Sequence, residues 1–164
     1  NEGSVFNLQL TLPLAQPQTE YKPVVQVDTQ KKSRPTVMVV EDNPTNQLVL
    51  KGILKKLGID VLTANNGEEA LGLLENSSID TILMDCQMPV MDGFVATRTI
   101  RKMPAPLAEI PIIAVTANAM AQDKARCLEA GMNDYMSKPV NTPLLKEKLI
   151  YWLAQAPQPK ELVA

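Results

Sequence analysis

Leu83-Met84-Asp85-Cys86-Gln87-Met88-Pro89-Val90-Met91-Asp92-Gly93 decides how this chain is read. An apolar run from Thr81 to Met84 ends on a lone carboxylate. Pro89 then bars helix and Asp92-Gly93 offers turn chemistry, so the backbone stays in a loop before a helix begins. A strand that stops on Asp85 presents it at a sheet edge, and the side chain is expected to be displayed rather than buried.

Three other runs end on polar groups. Thr36 to Val40 is a continuous, largely β-branched run of the kind expected of a central parallel strand, and it ends on Glu41 and Asp42. Ile112 to Val115 ends on Thr116, and Tyr135-Met136 ends on Ser137-Lys138-Pro139. In open α/β sheets ligands gather outside the carboxyl ends of the strands. Parallel neighbouring strands would therefore bring two acids, a third acid, a hydroxyl and an ammonium to one place.

Helical patterns separate these runs. Asn43 is placed to cap a helix that has Pro44 at its first position and runs to Leu57 before Gly58, with Leu50, Ile53, Leu54 and Leu57 on one face. Asp60 to Ala64 is a further strand, and Asn66-Gly67 opens a helix with Ala70, Leu71 and Leu74 inward. A third helix is expected over about Gly93 to Lys102, with Phe94, Thr97 and Ile100 or their neighbours inward, then a long connection from Met103 to Ile110. The fourth, Ala121 to Ala130, has a thin apolar stripe of Ala121, Cys127 and Leu128 with Lys124 in its middle. Asn141 or Thr142 caps the last, which offers Leu144, Leu145, Leu149 and Trp152 to the core. Alternating strands and helices call for a doubly wound α/β fold, a five-stranded parallel sheet with helices on both faces.

From Arg34 to about Ala156 the chain resembles the receiver (CheY-like, flavodoxin-like) domain of two-component response regulators. The resemblance implies that Asp85 is a phosphoacceptor, that Glu41 and Asp42 with Asp85 and the backbone carbonyl of Gln87 hold a divalent cation, and that Thr116 and Lys138 contact the phosphoryl group. Tyr135 corresponds to the switch aromatic and Lys138-Pro139 to the family's cis peptide. Taken singly, each residue also has a plainer role as a turn acid, cap or solvated lysine. Their conjunction at successive strand ends is what carries the reading.

The chemistry follows from charge. Carboxylates about 4 Å apart repel by roughly 4 kcal/mol per pair at an effective dielectric of 20 unless a cation sits among them. Mg²⁺ is the expected ion, with Mn²⁺ the other candidate. Asp85 would then attack phosphorus to give an aspartyl phosphate, with Lys138 and Thr116 holding phosphoryl oxygens.

The chain has 164 residues, a net charge of −2 and no histidine. That charge suggests neither nucleic acid nor an anionic membrane as partner. Without imidazole there can be no Ser-His triad and no phosphohistidine of its own, so any phosphoryl group comes from elsewhere. Cys86 and Cys127 form no C-x-x-C pair and fit a reducing cytoplasm as free thiols. No apolar run reaches the ~18 residues of a membrane span.

Residues 1–14 alternate Phe6, Leu8, Leu10, Leu12 and Leu14 with polar residues and Pro13, and resemble the last strand of a sensor histidine kinase's ATP-binding domain, here as an excised remnant. Residues 15–34 read as a linker rich in Gln, Pro, Thr and Lys, 35–156 as the receiver domain, and 157–164 as a tail. The expected setting is a hybrid sensor kinase whose core supplies phosphate and whose product is a histidine phosphotransfer domain. That places this part in the cytoplasm, with a parent kinase that the inner membrane could anchor.

Two other readings stand beside it. One is a free-standing regulator acting through its surface. The other is a phosphatase with an aspartyl nucleophile, which would want an acid two residues after Asp85 where this chain has Gln87. On the first helix, Leu48 lies about 160° from Leu50 and should be exposed, with Gly52 one turn on leaving a notch. Leu48, Gly52 and Pro139 are therefore expected to dock the helical phosphotransfer partner.

Overall fold

The computed structural model describes residues 34–117 and 121–156. The expected kinase-strand remnant (1–14), the linker up to residue 33 and the tail (157–164) lie outside the described residues. In chain order the elements are β1 (Thr36–Val40), α1 (Pro44–Lys56), β2 (Asp60–Ala64), α2 (Gly67–Asn76), β3 (Thr81–Asp85), α3 (Gly93–Ile100), β4 (Ile112–Thr116), α4 (Ala121–Glu129), β5 (Asp134–Ser137) and α5 (Thr142–Leu153). A 3₁₀ turn at Leu107–Glu109 lies in the connection before β4. The strands form one parallel sheet in the order β2-β1-β3-β4-β5, the doubly wound architecture the sequence calls for.

Alternation along the strands splits the core into two layers. Met38, Val40, Ile82, Met84, Ile112 and Ala114 meet Ala70 and Leu74 of α2, Ala96 and Ile100 of α3 and Cys127 of α4. Val37, Val39, Leu83, Ile113, Val115 and Met136 meet Leu50 and Leu54 of α1 and Leu145 and Leu149 of α5. Each fully buried Val, Leu, Ile or Met among them contributes roughly 1.5–3 kcal/mol. Covering both faces is why β1, β3 and β4 read as unbroken apolar runs, while β2 at the edge is only partly buried.

Helix ends follow the capping residues. Asn43, Asn66, Asp92 and Asn141 each accept backbone N–H groups of the first turn of α1, α2, α3 and α5, which selects Asn141 over Thr142 as the last cap. Gly58 follows α1 at φ 76°, a left-handed position that favours glycine.

Two expectations are corrected. Helix α3 stops at Ile100 rather than Lys102, because the N–H groups of Lys102 and Met103 bond three residues back, to Thr99 and Ile100, and tighten the last turn. Leu128 and Leu144, expected in the core, are largely exposed. Each lies about 100° round its helix from the neighbour that took the inner place, Cys127 and Leu145. On α3, Thr97 and Ile100 are buried as expected, with the neighbour Ala96, and the half-buried Phe94 packs against the same core layer.

Candidate functional site

The chain leaves β1 toward α1 on one face of the sheet and leaves β3 toward α3 on the other. That divergence opens a crevice at the carboxyl ends of the two central strands. Lys138, just past β5, reaches across it: its Nζ lies 2.6 Å from Asp85 Oδ2 and 2.7 Å from Glu41 Oε2. Oxygens of Glu41, Asp42 and Asp85 lie within 4.8 Å of one another. Glu41 is 1% exposed and Asp85 6%, whereas Asp42 faces solvent. Asp85 is thus buried, not displayed. The ammonium that covers it supplies the counter-charge a desolvated carboxylate requires.

Neighbouring groups fix the acids. Asn46 Nδ2 donates to Glu41 Oε1 at 2.8 Å, and Gln47 Nε2 donates to the Glu41 carbonyl at 2.6 Å and to Asn65 Oδ1 at 3.0 Å. The Gln87 N–H donates to Asp85 Oδ1 at 3.2 Å. A Cβ on Gly93 would overlap the Asp85 carbonyl oxygen, so the loop's return beneath the strand end needs glycine for room. The Lys138 N–H donates to the Thr116 carbonyl at 2.8 Å, joining the ends of β4 and β5, and the Lys138-Pro139 peptide is cis, as the resemblance implies.

Burial pushes the Asp85 carboxyl above its ordinary value against the hydrogen bonds from Lys138 and the Gln87 N–H, which pull it down, and nearby Glu41 adds to the rise. Burial alone would lower Lys138, but its bonds to Asp85 and Glu41 outweigh that and raise it. A more basic carboxylate is a better nucleophile, and a firmly charged ammonium suits an anionic group.

The donor set fits a hard divalent cation. Glu41 Oε2 is buried and touches Lys138 as an ion pair, yet no donor is aligned on it as a hydrogen bond. Three clustered carboxylates are the oxygen ligands that Mg²⁺ takes.

The other expected residues fall in two places. Thr116 is buried at the end of β4 and lines a small cavity with Gln87. Tyr135 pairs with Ala114, two positions before the Thr116–Ser137 pair, and its half-buried ring has Lys124 Nζ at 5.2 Å and Lys148 Nζ at 5.8 Å. Leu48 is 70% exposed on α1, and around Gly52 there is open space. Pro139 lines a cleft of about 200 Å³ with Val49, Leu50, Val115, Val140 and the acid site's Glu41, Asn46 and Lys138.

Sequence reading missed Asn46, Gln47 and Val49. Their signal was position: all three lie in the first turns of a helix that opens right after the acid pair.

The response regulator receiver domain profile matches residues 37–150. The chain belongs to the response regulator receiver family. The receiver domain is 44% identical over 113 residues to the sensor histidine kinase RcsC of Salmonella typhimurium, covering 69% of this chain and 12% of that protein. It is 37% identical over 131 residues to the sensor histidine kinase GacS of Pseudomonas protegens, covering 79% and 14%. The chain thus spans about an eighth of the curated relatives it matches. Among solved structures, the receiver domain of a Pseudomonas aeruginosa sensor histidine kinase, with magnesium ion coordinated in the active site cleft, is 43% identical with a TM-score of 0.69, covering 74% of this chain and 99% of that one. A second is the Saccharomyces cerevisiae complex between a histidine phosphotransfer signaling protein and the receiver domain of its downstream response regulator. It is 35% identical with a TM-score of 0.69, covering 77% and 94%. The receiver domain is accordingly a phosphoacceptor module of two-component signalling.

Proposed function

We propose that this receiver domain accepts a phosphoryl group on Asp85 from a phosphohistidine and passes it to a histidine phosphotransfer domain, within a hybrid sensor kinase. The observation that carries the assignment is Lys138 seated between Asp85 and Glu41 at the carboxyl edge of the sheet. An Asp85 carboxylate oxygen forms the bond to phosphorus as the phosphorus–nitrogen bond breaks and the imidazole leaves. Lys138 Nζ neutralises a phosphoryl oxygen, and the Thr116 hydroxyl donates to another. Glu41, Asp42, Asp85 and the Gln87 carbonyl would hold Mg²⁺, or Mn²⁺ in its place, which when bound neutralises the acids and a phosphoryl oxygen. Tyr135 follows the Thr116 movement as the switch ring.

Leu48, with Gly52 and Pro139, docks the phosphotransfer partner, and the kinase core is the phosphate source. The free thiols of Cys86 and Cys127 agree with a cytoplasmic location, the parent kinase being anchored in the inner membrane. Among the described residues no helix is long and apolar enough to cross a membrane.

Intact mass after incubation with a small-molecule phosphodonor and Mg²⁺ tests the reading. One phosphoryl group is gained, and Asp85→Asn abolishes the gain. A gain unchanged in the variant would place the chemistry elsewhere. Because the cation binds the folded state, the melting temperature rises as Mg²⁺ is titrated, and a flat response would remove the metal site.

A further inference from the structure

The two cysteines of this chain are both buried, and their sulfurs stand 3.7 Å apart. Cys86 follows Asp85 at the end of β3 and points to the opposite face of the sheet. Cys127, on α4, comes 41 residues later. Among the described side chains of α4 it is the one that is buried, so this helix rests on the sheet through the sulfur that touches Cys86.

Cys86 also lines a cavity of about 70 Å³ together with Gln87, Phe94, Thr116, Asp123 and Arg126. That space is ample for a small polar molecule the size of hydrogen peroxide. Its outer wall is the Arg126 guanidinium, stacked 4.7 Å over the Phe94 ring. The same two side chains line a wider cleft of about 330 Å³ between α3 and α4. Arg126 is 62% exposed and held by Asp123 at 3.7 Å and by the Phe94 ring, so a surface side chain with two contacts lines the approach to Cys86. Cys127 does not line that cavity.

We propose that Cys86 and Cys127 are a site of oxidative modification, closing to an intramolecular disulfide under a hydroperoxide and fastening α4 to the strand end that carries Asp85. The Cys86 sulfur takes the distal peroxide oxygen as the O–O bond breaks, giving a sulfenic acid and one water. The Cys127 sulfur then attacks the oxidised sulfur, the S–S bond forms, and the hydroxyl leaves with the Cys127 proton as a second water. Two thiols lose two electrons and one peroxide gains them. Reaching the ~2.05 Å of a disulfide asks for a closure of under 2 Å, which α4 can absorb because the rest of its described side chains lie at the surface or half-buried.

The test exposes the full chain to millimolar hydrogen peroxide. Thiols are then titrated in denaturant and a non-reduced digest is mapped, which separates cysteine from methionine oxidation. The thiol count falls from two to none at a rate independent of protein concentration. A linked Cys86–Cys127 peptide appears, dithiothreitol restores both thiols, and the oxidised chain melts several degrees higher. In Cys127→Ala the linked peptide is absent and Cys86 proceeds to sulfinic acid. In Cys86→Ala, Cys127 stays reduced. Retention of both thiols at exposures that fully oxidise the urea-unfolded chain would overturn the proposal, as would linkage between chains instead of within one.

Discussion

Lys138 Nζ stands 2.6 Å from Asp85 Oδ2, so the ammonium holds part of the charge position that a cation among the acids would otherwise fill alone. Replacing it with an uncharged chain of similar length, Lys138→Met, separates its two effects. Removing a positive charge from beside Glu41 and Asp85 tightens Mg²⁺ binding several-fold, measured by calorimetry. Phosphoryl gain from a small donor falls at least tenfold over the same period. If neither quantity moves, Lys138 takes no part in the site.

Leu48 is 70% exposed on α1, and Val49 beside it, 53% exposed, lines the cleft together with Pro139 and Val140. Leu48→Asp is expected to slow transfer from a phosphohistidine protein tenfold or more, while melting temperature and labelling by small donors stay near those of the parent chain. Equal slowing with both donors would mean damage to the site, and no slowing with either would leave Leu48 as ordinary surface.

Asp134, at the start of β5, accepts from Lys148 Nζ and the Tyr135 N–H, both at 2.7 Å, and from Trp152 Nε1 at 3.0 Å. Burial would push its carboxyl up, but these bonds outweigh it and hold the group below its ordinary 3.8. A depressed folded value means the stabilisation is present above the unfolded value and is lost as pH falls through the folded one. Asp134→Asn therefore costs about 1.5–3 kcal/mol at neutral pH by urea unfolding. The gap between variant and parent narrows as pH falls below 3.8, and a gap that stays constant would contradict the assignment.

Arg101 joins three segments through one guanidinium. It donates to the carbonyls of Gly131 and Ala108 at 2.8 Å, to that of Ile110 at 2.9 Å and to Asn133 Oδ1 at 2.7 Å. Arg101→Ala leaves the three carbonyls without this donor, while Asn133 Oδ1 keeps the Ile112 N–H, and should cost about 2–4 kcal/mol. Arg101→Lys should recover less than half of that, because a single ammonium cannot span four acceptors. Phosphoryl labelling of the folded fraction stays unchanged, since Arg101 touches no group of the acid site.

The sequence by itself determined the five strands, the helices between them and the residues at the strand ends, because both signals are local. Unbroken apolar runs such as Ile112 to Val115 mark strands covered on two faces, and Asn43-Pro44 or Asn66-Gly67 marks a helix start whatever the surroundings. Side-chain alternation likewise puts Cys86 on the face opposite Asp85, and helical spacing leaves Leu48 outside. The tertiary structure alone decided what covers those ends. Asp85 is buried because Lys138 arrives over it from 53 residues away, and no local pattern encodes that arrival. In the same way, only packing chose Cys127 over Leu128 and Leu145 over Leu144 as the inner residues, since adjacent apolar positions on a helix compete for one place. Arg101 meets its acceptors only because the loops at Ala108 and Gly131 fold back onto it. Periodicity fixes which way a side chain points, and only the assembled sheet fixes what it meets there.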